Sequence, residues 1–248
     1  MADPTVCCVM LTRDRHELAP KAVACFMKQT YPNRRLLIYD TGRQGLAVQH
    51  DWIAHARAPR LAACTVGMLR NNANEMVTAD IIAHWDDDDY SHPERLTEQV
   101  AFLQASGADL VGYNEMLFWD VRIDEAAFPP VIDGEAWLYE KRARSDYAIG
   151  TSLVYWRKAW EKKQFGNQPR PGLANGEDND WIKDQRVESM SSFGLDGDSN
   201  AASRWRETPR MIARIHGRNT SSQYADLDKS SSWSRRPEWD ERVKEILA

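Results

Sequence analysis

The sequence lacks any run approaching the roughly 18 to 20 consecutive apolar residues that span a bilayer. Its N-terminal stretch MADPTVCCVMLTRDR loses its apolar character after the six residues VCCVML. Neither a transmembrane segment nor a secretory leader is expected, and the reading is a soluble, cytoplasmic chain. Cysteine is scarce. The four residues Cys7, Cys8, Cys25 and Cys64 form no CxxC pair, and three of them sit in apolar segments, which predicts reduced core thiols. There is no excess of positive charge: 32 Lys and Arg against 37 Asp and Glu leave a net charge of −5. The overall basic field of a general nucleic-acid binder is therefore missing, and only a local patch remains open. No GxxxxGK[ST] segment occurs, so the phosphate cradle of a P-loop phosphotransferase is absent. No internal repeat is visible.

What is present is sufficient for a real core: 248 residues, 42% hydrophobic and 10% aromatic, with 13 Gly and 11 Pro. That composition suits one large domain or two small intimate ones. Short apolar runs alternate with amphipathic stretches in the first half, the pattern of βαβ units around a mostly parallel sheet. Val6 to Leu11 predicts a buried strand, and Glu17 to Lys28 a helix with Ala22, Val23, Phe26 and Met27 inward. Leu36 to Asp40 follows as a second strand, Leu46 to Arg57 as a helix, and Leu61 to Val66 as a third strand. Asn71 to Thr78 then reads as a helix and Ile81 to Trp85 as a fourth strand. Pro93 suits the first turn of a helix running to about Ala105, and Asp109 to Trp119 reads as another strand. Composition then shifts, with eight of the ten tryptophans lying from Trp119 onward. Gly and Pro cluster in Phe165 to Gly176, predicting a long functional loop. Ser189 to Ser203 reads as irregular, and Pro237 to Ala248 as a terminal helix docked by Trp239, Val243 and Ile246.

The sharpest chemical feature is Asp86-Asp87-Asp88-Asp89, directly after the apolar run IIAHW. Four adjacent carboxylates repel one another, and a hard divalent cation suits their oxygens best. Carboxyl ends of strands are also where open α/β sheets bind ligands. A second acidic site, Glu177-Asp178 in GEDNDW, opens a predicted helix, where acids equally complement the helix dipole. Arg204, Arg206, Arg210, Arg214 and Arg218 place five guanidiniums in fifteen residues, with Glu207 opposing them. They form either a phosphate-binding strip or an acid-paired face. Trp119, Trp137, Trp156, Trp160 and Trp181 are candidate flat faces for sugar rings or bases, with core packing as the competing role.

Several segments taken together resemble a family 2 glycosyltransferase. They are VCCVMLTRDR, QTYPNRRLLIYDTG, GMLRNNANEMVTADIIAHWDDDDYSHPERL, YAIGTSLVYWRKAW, GEDNDWIKDQR and RIHGRNTS, in an order covering about residues 5 to 220. The resemblance implies an α/β, GT-A (Rossmann-like) fold: a mostly parallel central sheet flanked by helices, with an acceptor-side second half. It divides the chain into a nucleotide-sugar-binding half at 1–108, an acceptor-binding and catalytic half at 109–222, and a tail at 223–248. It implies a metal-dependent, inverting enzyme of the hexosyltransferase type. The sugar passes from a nucleotide diphosphate donor, with a UDP-sugar expected, to a hydroxyl acceptor such as a glycan.

Residue by residue, Thr12, Arg13, Asp40 and Arg70 match nucleotide-binding positions. The pair Asp86 and Asp88 matches the DxD motif, with Asp86 towards the ribose and Asp88 on the metal; Asp87 and Asp89 offer a second register. His216 matches a position that completes the site for Mn2+ or Mg2+. Asp178, with Glu177 as second choice, matches the general base, and Gly150, Thr151 and Ser152 match the acceptor side. Two departures concern donor specificity: LTRDR ends the first strand and Thr41-Gly42 follows the second. Other readings stay open, among them a hydroxylated base in DNA as acceptor and a non-catalytic, metal-dependent carbohydrate-binding module. A nucleotidyltransferase would carry a Gly-rich basic loop near the first strand, and LTRDRHEL has no glycine.

Overall fold

The run VCCVML becomes the centre of the parallel part of the sheet. In the computed structural model, which describes residues 3–120, 137–166, 177–193, 208–216 and 232–247, β1 (Val6–Thr12) lies between β2 (Arg34–Asp40) and β4 (Ile81–His84). Both pairings are parallel, and β3 (Ile53–Arg57) extends the sheet parallel to β2. A strand covered on both faces reads as a continuous apolar run. Accordingly Val6, Cys8 and Met10 enter one core cluster, with Phe26 of α1 (Ala19–Met27), while Cys7 and Val9 enter another. Full burial of each large apolar side chain contributes roughly 1.5–3 kcal/mol. All four cysteines are free thiols; Cys7 and Cys8 are buried, and burial pushes Cys7 up to about 12.

Two expected elements are different. Leu46–Arg57 is not a helix: its last five residues form β3, in register with Leu36–Asp40. The open edge of β2 supplies a row of backbone partners, and satisfying that edge outweighs a modest local helix preference. Leu61–Val66 is not a strand. Pro59–Leu61 forms a 3-10 turn, and Thr65 then caps α2 (Val66–Glu75), its Oγ1 accepting the Met68 N–H at 3.3 Å. The helix therefore starts five residues earlier than Asn71, at an N-cap threonine.

Beyond β5 (Tyr90–Ser91), α3 (Arg95–Ser106) ends at Gly107, whose φ of 63° makes a left-handed cap. The sheet then becomes mixed around β6 (Leu110–Asp120), which runs antiparallel to β7 (Trp137–Arg142) and β8 (Val154–Trp156). It runs parallel to β9 (Val187–Ser191) and β10 (Met211–Ile215). β8 joins this half to the parallel half through an antiparallel pairing with β4, and β10 meets β5. Short helices α4 (Arg157–Lys162) and α5 (Glu177–Ile182) flank the second half. β11 (Trp233–Arg235) pairs with β7, and α6 (Asp240–Leu247) docks through Val243, beside Trp239 of the preceding turn, as the apolar spacing of the C-terminus predicts. Among the described residues no helix is long and apolar enough to cross a membrane.

Candidate active site

At the carboxyl end of the parallel strands lies a cleft of about 570 Å³. The acid run lines one wall, following β4, and Asp178 and Asn179 from the start of α5 line another. Thr12, Arg13, Arg70, Gly150 and Thr151 also border it.

Each aspartate of the run has its own partners. Asp86 is the most open, its side chain 34% exposed, and lies 3.6 Å from Arg70 Nη2. Asp87 accepts from Thr12 Oγ1 at 2.6 Å and from Arg15 Nη1 at 2.6 Å. Asp88 Oδ2 meets Arg15 Nη1 at 2.6 Å and His216 Nε2 at 2.8 Å. Asp89 is consumed internally: Oδ2 takes the Thr151 hydroxyl at 2.5 Å, and Oδ1 takes the Arg214 backbone N–H at 3.0 Å. Burial and the charge of Asp88 push Asp87 up to about 6, against the pull of Arg15 and Thr12. Burial and the charges of Asp88 and Asp86 push Asp89 well above the carboxylate range. For Asp88 the cost of burial is outweighed by the His216 hydrogen bond and the Arg15 charge, which hold it below that range. Oxygens of Asp86, Asp88 and Asp89 lie within 4.8 Å of one another.

Beneath the run, Arg95 is fully buried. It donates to the His84 carbonyl at 3.0 Å, to Ser91 Oγ at 2.9 Å and to Gln99 Oε1 at 3.0 Å, and stacks 5.0 Å from the Trp85 ring. His84, also buried, places Nδ1 2.7 Å from the Gly150 carbonyl oxygen. Burial drives its pKa well below the ordinary 6.5, so the imidazole is neutral and Nδ1–H donates. This contact ties the end of β4 to the 3-10 turn Gly150–Ser152.

That turn meets the second acid. A Cβ on Gly150 would stand 1.8 Å from Asp178 Oδ2, so the carboxylate occupies the space a side chain would take. Asp178 Oδ1 accepts its neighbour's N–H at 2.8 Å, and Tyr147 donates to Asn179 Oδ1 at 2.7 Å. Lys141 enters from β7; burial lowers its pKa and the Asp178 charge opposes that shift.

The structure brings Thr12, Arg13, Arg70, Asp86, Asp88, Gly150, Thr151 and Asp178 to the cleft, with His216 on Asp88. Two expected contacts fall elsewhere. Asp40 is not among the lining residues: its carboxylate is buried, taking the Gly42 N–H at 2.7 Å and facing His55 Nε2 at 3.1 Å and Arg57 Nη1 at 3.5 Å, while Tyr39 and Thr41 reach the cleft. Ser152 is fully buried rather than acceptor-facing, accepting from the Tyr113 N–H and donating to the Ile149 carbonyl. A serine in that turn satisfies backbone groups that burial would otherwise leave unpaired. Glu177 opens α5, and its side chain lies outside the described residues.

The aromatic and basic features resolve towards structure. Trp119, Trp160 and Trp181 are buried and Trp156 packs partly buried against the core, so they do not present open faces to sugars; the Trp137 side chain lies outside the described residues. Arg210 grips Glu98 through Nε and Nη2 at 2.6 to 2.8 Å, an acid pair rather than a phosphate site. Arg214 borders the cleft, and Arg204, Arg206 and Arg218 lie outside the described residues. Sequence reasoning missed Arg15, His84, Lys141 and Tyr147. A polar histidine closing an otherwise apolar strand was the available signal for His84, and a second arginine in LTRDR that for Arg15.

Residues 7–118 match the family model described as Glycosyl transferase family 2. Over these residues the chain is similar to family 2 glycosyltransferases. Solved structures similar to this chain include S. aureus TarS 1-349 in complex with UDP-GlcNAc, with a TM-score of 0.59 and 14% identity over 89% of this chain and 61% of that one. TarS 1-349 in complex with UDP gives 0.57 and 13% over 85% and 60%. A mannosyltransferase, PcManGT from Pyrobaculum calidifontis, in complex with GDP-Man and Mn2+, gives 0.50 and 13% over 77% and 55%. These likenesses establish the GT-A fold. The chain spans about three fifths of the length of the TarS 1-349 structures. No curated protein sequence matches it.

Proposed function

We propose that the chain transfers a sugar from a nucleotide diphosphate donor, with a UDP-sugar as the expected donor, to a hydroxyl acceptor such as a glycan, by metal-dependent single displacement with inversion. One observation carries the reading: the acid run at the end of β4 and Asp178 at the start of α5 line the same cleft. The matched family and the nucleotide-sugar complexes of the similar structures support it.

The donor set fits a hard divalent ion, since clustered carboxylate oxygens with one imidazole suit Mn2+ or Mg2+. Asp86, Asp88 and His216 would hold it. Asp86 is the most open of the run, Asp88 carries the His216 contact, and Asp87 is outside the group of converging carboxylate oxygens, which favours the Asp86-x-Asp88 register of a DxD motif. When bound, such an ion stabilises the negative charge that develops on a diphosphate leaving group. Arg70 and Arg13 add positive charge on the nucleotide side, and Thr12 helps to shape its floor. Asp178 accepts the proton of the attacking hydroxyl. The closeness of Asp178 Oδ2 to Gly150 supports that role, with the Gly150 turn as the proposed acceptor side.

Calorimetric titration with UDP, with GDP as control, in the presence and absence of Mn2+ tests the donor half. Wild type should bind UDP in a metal-dependent way and Asp88→Asn should not. Asp178→Asn should retain UDP binding while turnover falls on the order of 10²–10⁴-fold. Nucleotide binding that ignores both metal and Asp88→Asn sinks the metal-dependent reading; full turnover in Asp178→Asn removes the assigned base.

A further inference from the structure

Arg15 touches two aspartates of the acid run at once. Arg15 Nη1 lies 2.6 Å from Asp87 Oδ1 and 2.6 Å from Asp88 Oδ2, so one nitrogen bridges two carboxylates. Asp88 Oδ2 is the same oxygen that meets His216 Nε2. A divalent ion held by that oxygen would stand no more than about 5 Å from Arg15 Nη1, where two cations repel in a partly buried site. Arg15 and the ion would therefore compete for it.

The chain is built to deliver Arg15 to this place. After β1 ends at Thr12, the backbone turns through Asp14, the one non-glycine residue with positive φ among the described residues, at 52°. Aspartate tolerates this left-handed conformation better than most residues, yet it still needs support from its surroundings. That support is visible: Asp14 Oδ1 accepts the Arg43 N–H at 2.7 Å, and a Cβ on Gly42 would stand 2.8 Å from the Asp14 nitrogen. The turn is thus braced by residues 42–43, ahead of α1. The Arg15 side chain, 17% exposed, lines the cleft.

We propose that Arg15 is an internal counter-ion that competes with the divalent ion for Asp88 and leaves it when metal and nucleotide bind. The inference rests on the metal-dependent reading above. Arg15 neutralises Asp87 and Asp88 when it rests on them; released, it lies near the position where a diphosphate adds negative charge. Metal and nucleotide then favour each other's binding, because both stabilise the arrangement in which Arg15 is off the acids.

Mn2+ titration of wild type, Arg15→Gln, Arg15→Lys and Asp88→Asn, each with and without UDP, tests it. If Arg15 is off the acids in about a tenth of molecules, Arg15→Gln should bind Mn2+ about tenfold more tightly than wild type without nucleotide. It should also lose part of the strengthening that UDP brings, with Arg15→Lys in between. Equal or weaker Mn2+ affinity in Arg15→Gln overturns the inference while leaving the metal site intact. Should Arg15→Gln fail to fold, the Arg15 Nε–H resonance of wild type, assigned by its loss in Arg15→Lys, should move on Mg2+ addition and return with chelator. A stationary resonance while metal binds also overturns it. Absence of Mn2+ binding in both wild type and Arg15→Gln, or binding unaffected by Asp88→Asn, removes the metal-site reading and this inference with it.

Discussion

Gly150 and His84 show how single residues set the chemistry of the cleft. Gly150 has no need of an unusual backbone angle; it is required because Asp178 Oδ2 fills the position of its missing side chain. Gly150→Ala should therefore displace the carboxylate by about an ångström or more and lower kcat on the order of 10²-fold. UDP affinity, measured by calorimetry, should stay near wild type, since the donor side is untouched. His84 is a buried neutral imidazole that takes up a proton readily only after unfolding. Its folded pKa is depressed, so below about 6.5 the unfolded chain binds the additional proton and stability rises with pH across that range. Urea unfolding should lose up to about 1.4 kcal/mol per pH unit from this group as the pH drops below 6.5. In His84→Gln that component of the slope should vanish. Both residues sit in recognisable segments, YAIGTS and IIAHW, but the contact that gives each its role lies across the fold.

Elements carry the acid run through what lies beneath it. The first turn of α3 supplies Arg95, whose guanidinium holds the His84 carbonyl, Ser91 and Gln99 in a dry environment. Arg95→Leu would leave those acceptors without a donor, and urea unfolding should show a loss of about 3 kcal/mol, since each unsatisfied buried polar group costs about 1–3 kcal/mol. The α3 segment itself was readable from its Pro93 start and its apolar spacing. The buried arginine was not, because arginine at the start of a helix looks like a solvated residue until β4 is placed behind it. The same limit explains the two misread segments. IAHAR has a local preference that pairing with β2 overrides, and LAACTV looks strand-like until Thr65 is seen as a cap.

Among the described residues the fold is organised on β6, which pairs with β7, β8, β9 and β10 and so links the cleft to the C-terminal segment. Trp239 and Val243 close the cluster of Leu117, Trp119, Leu138, Phe193 and Ile212 on one face of this half. Trp239→Ala should lower unfolding free energy by about 3–5 kcal/mol. Because Ile212 belongs to β10, which leads to His216, metal affinity should weaken in parallel in calorimetry; a destabilised variant with wild-type Mn2+ affinity would separate the two. The amino-acid sequence alone determined the run of acids, the alternation of strands and helices in the first half and the second acidic site. These are written in runs and local periodicities that act over a few residues. The resemblance put Asp88 and His216 in one site, but only the tertiary structure decided that Asp86 is the most open of the four aspartates, that Arg15 rests on Asp87 and Asp88, and that His216 Nε2 meets Asp88 directly from 128 residues away. Those outcomes depend on burial and on strand pairing between distant segments, and no local pattern encodes either.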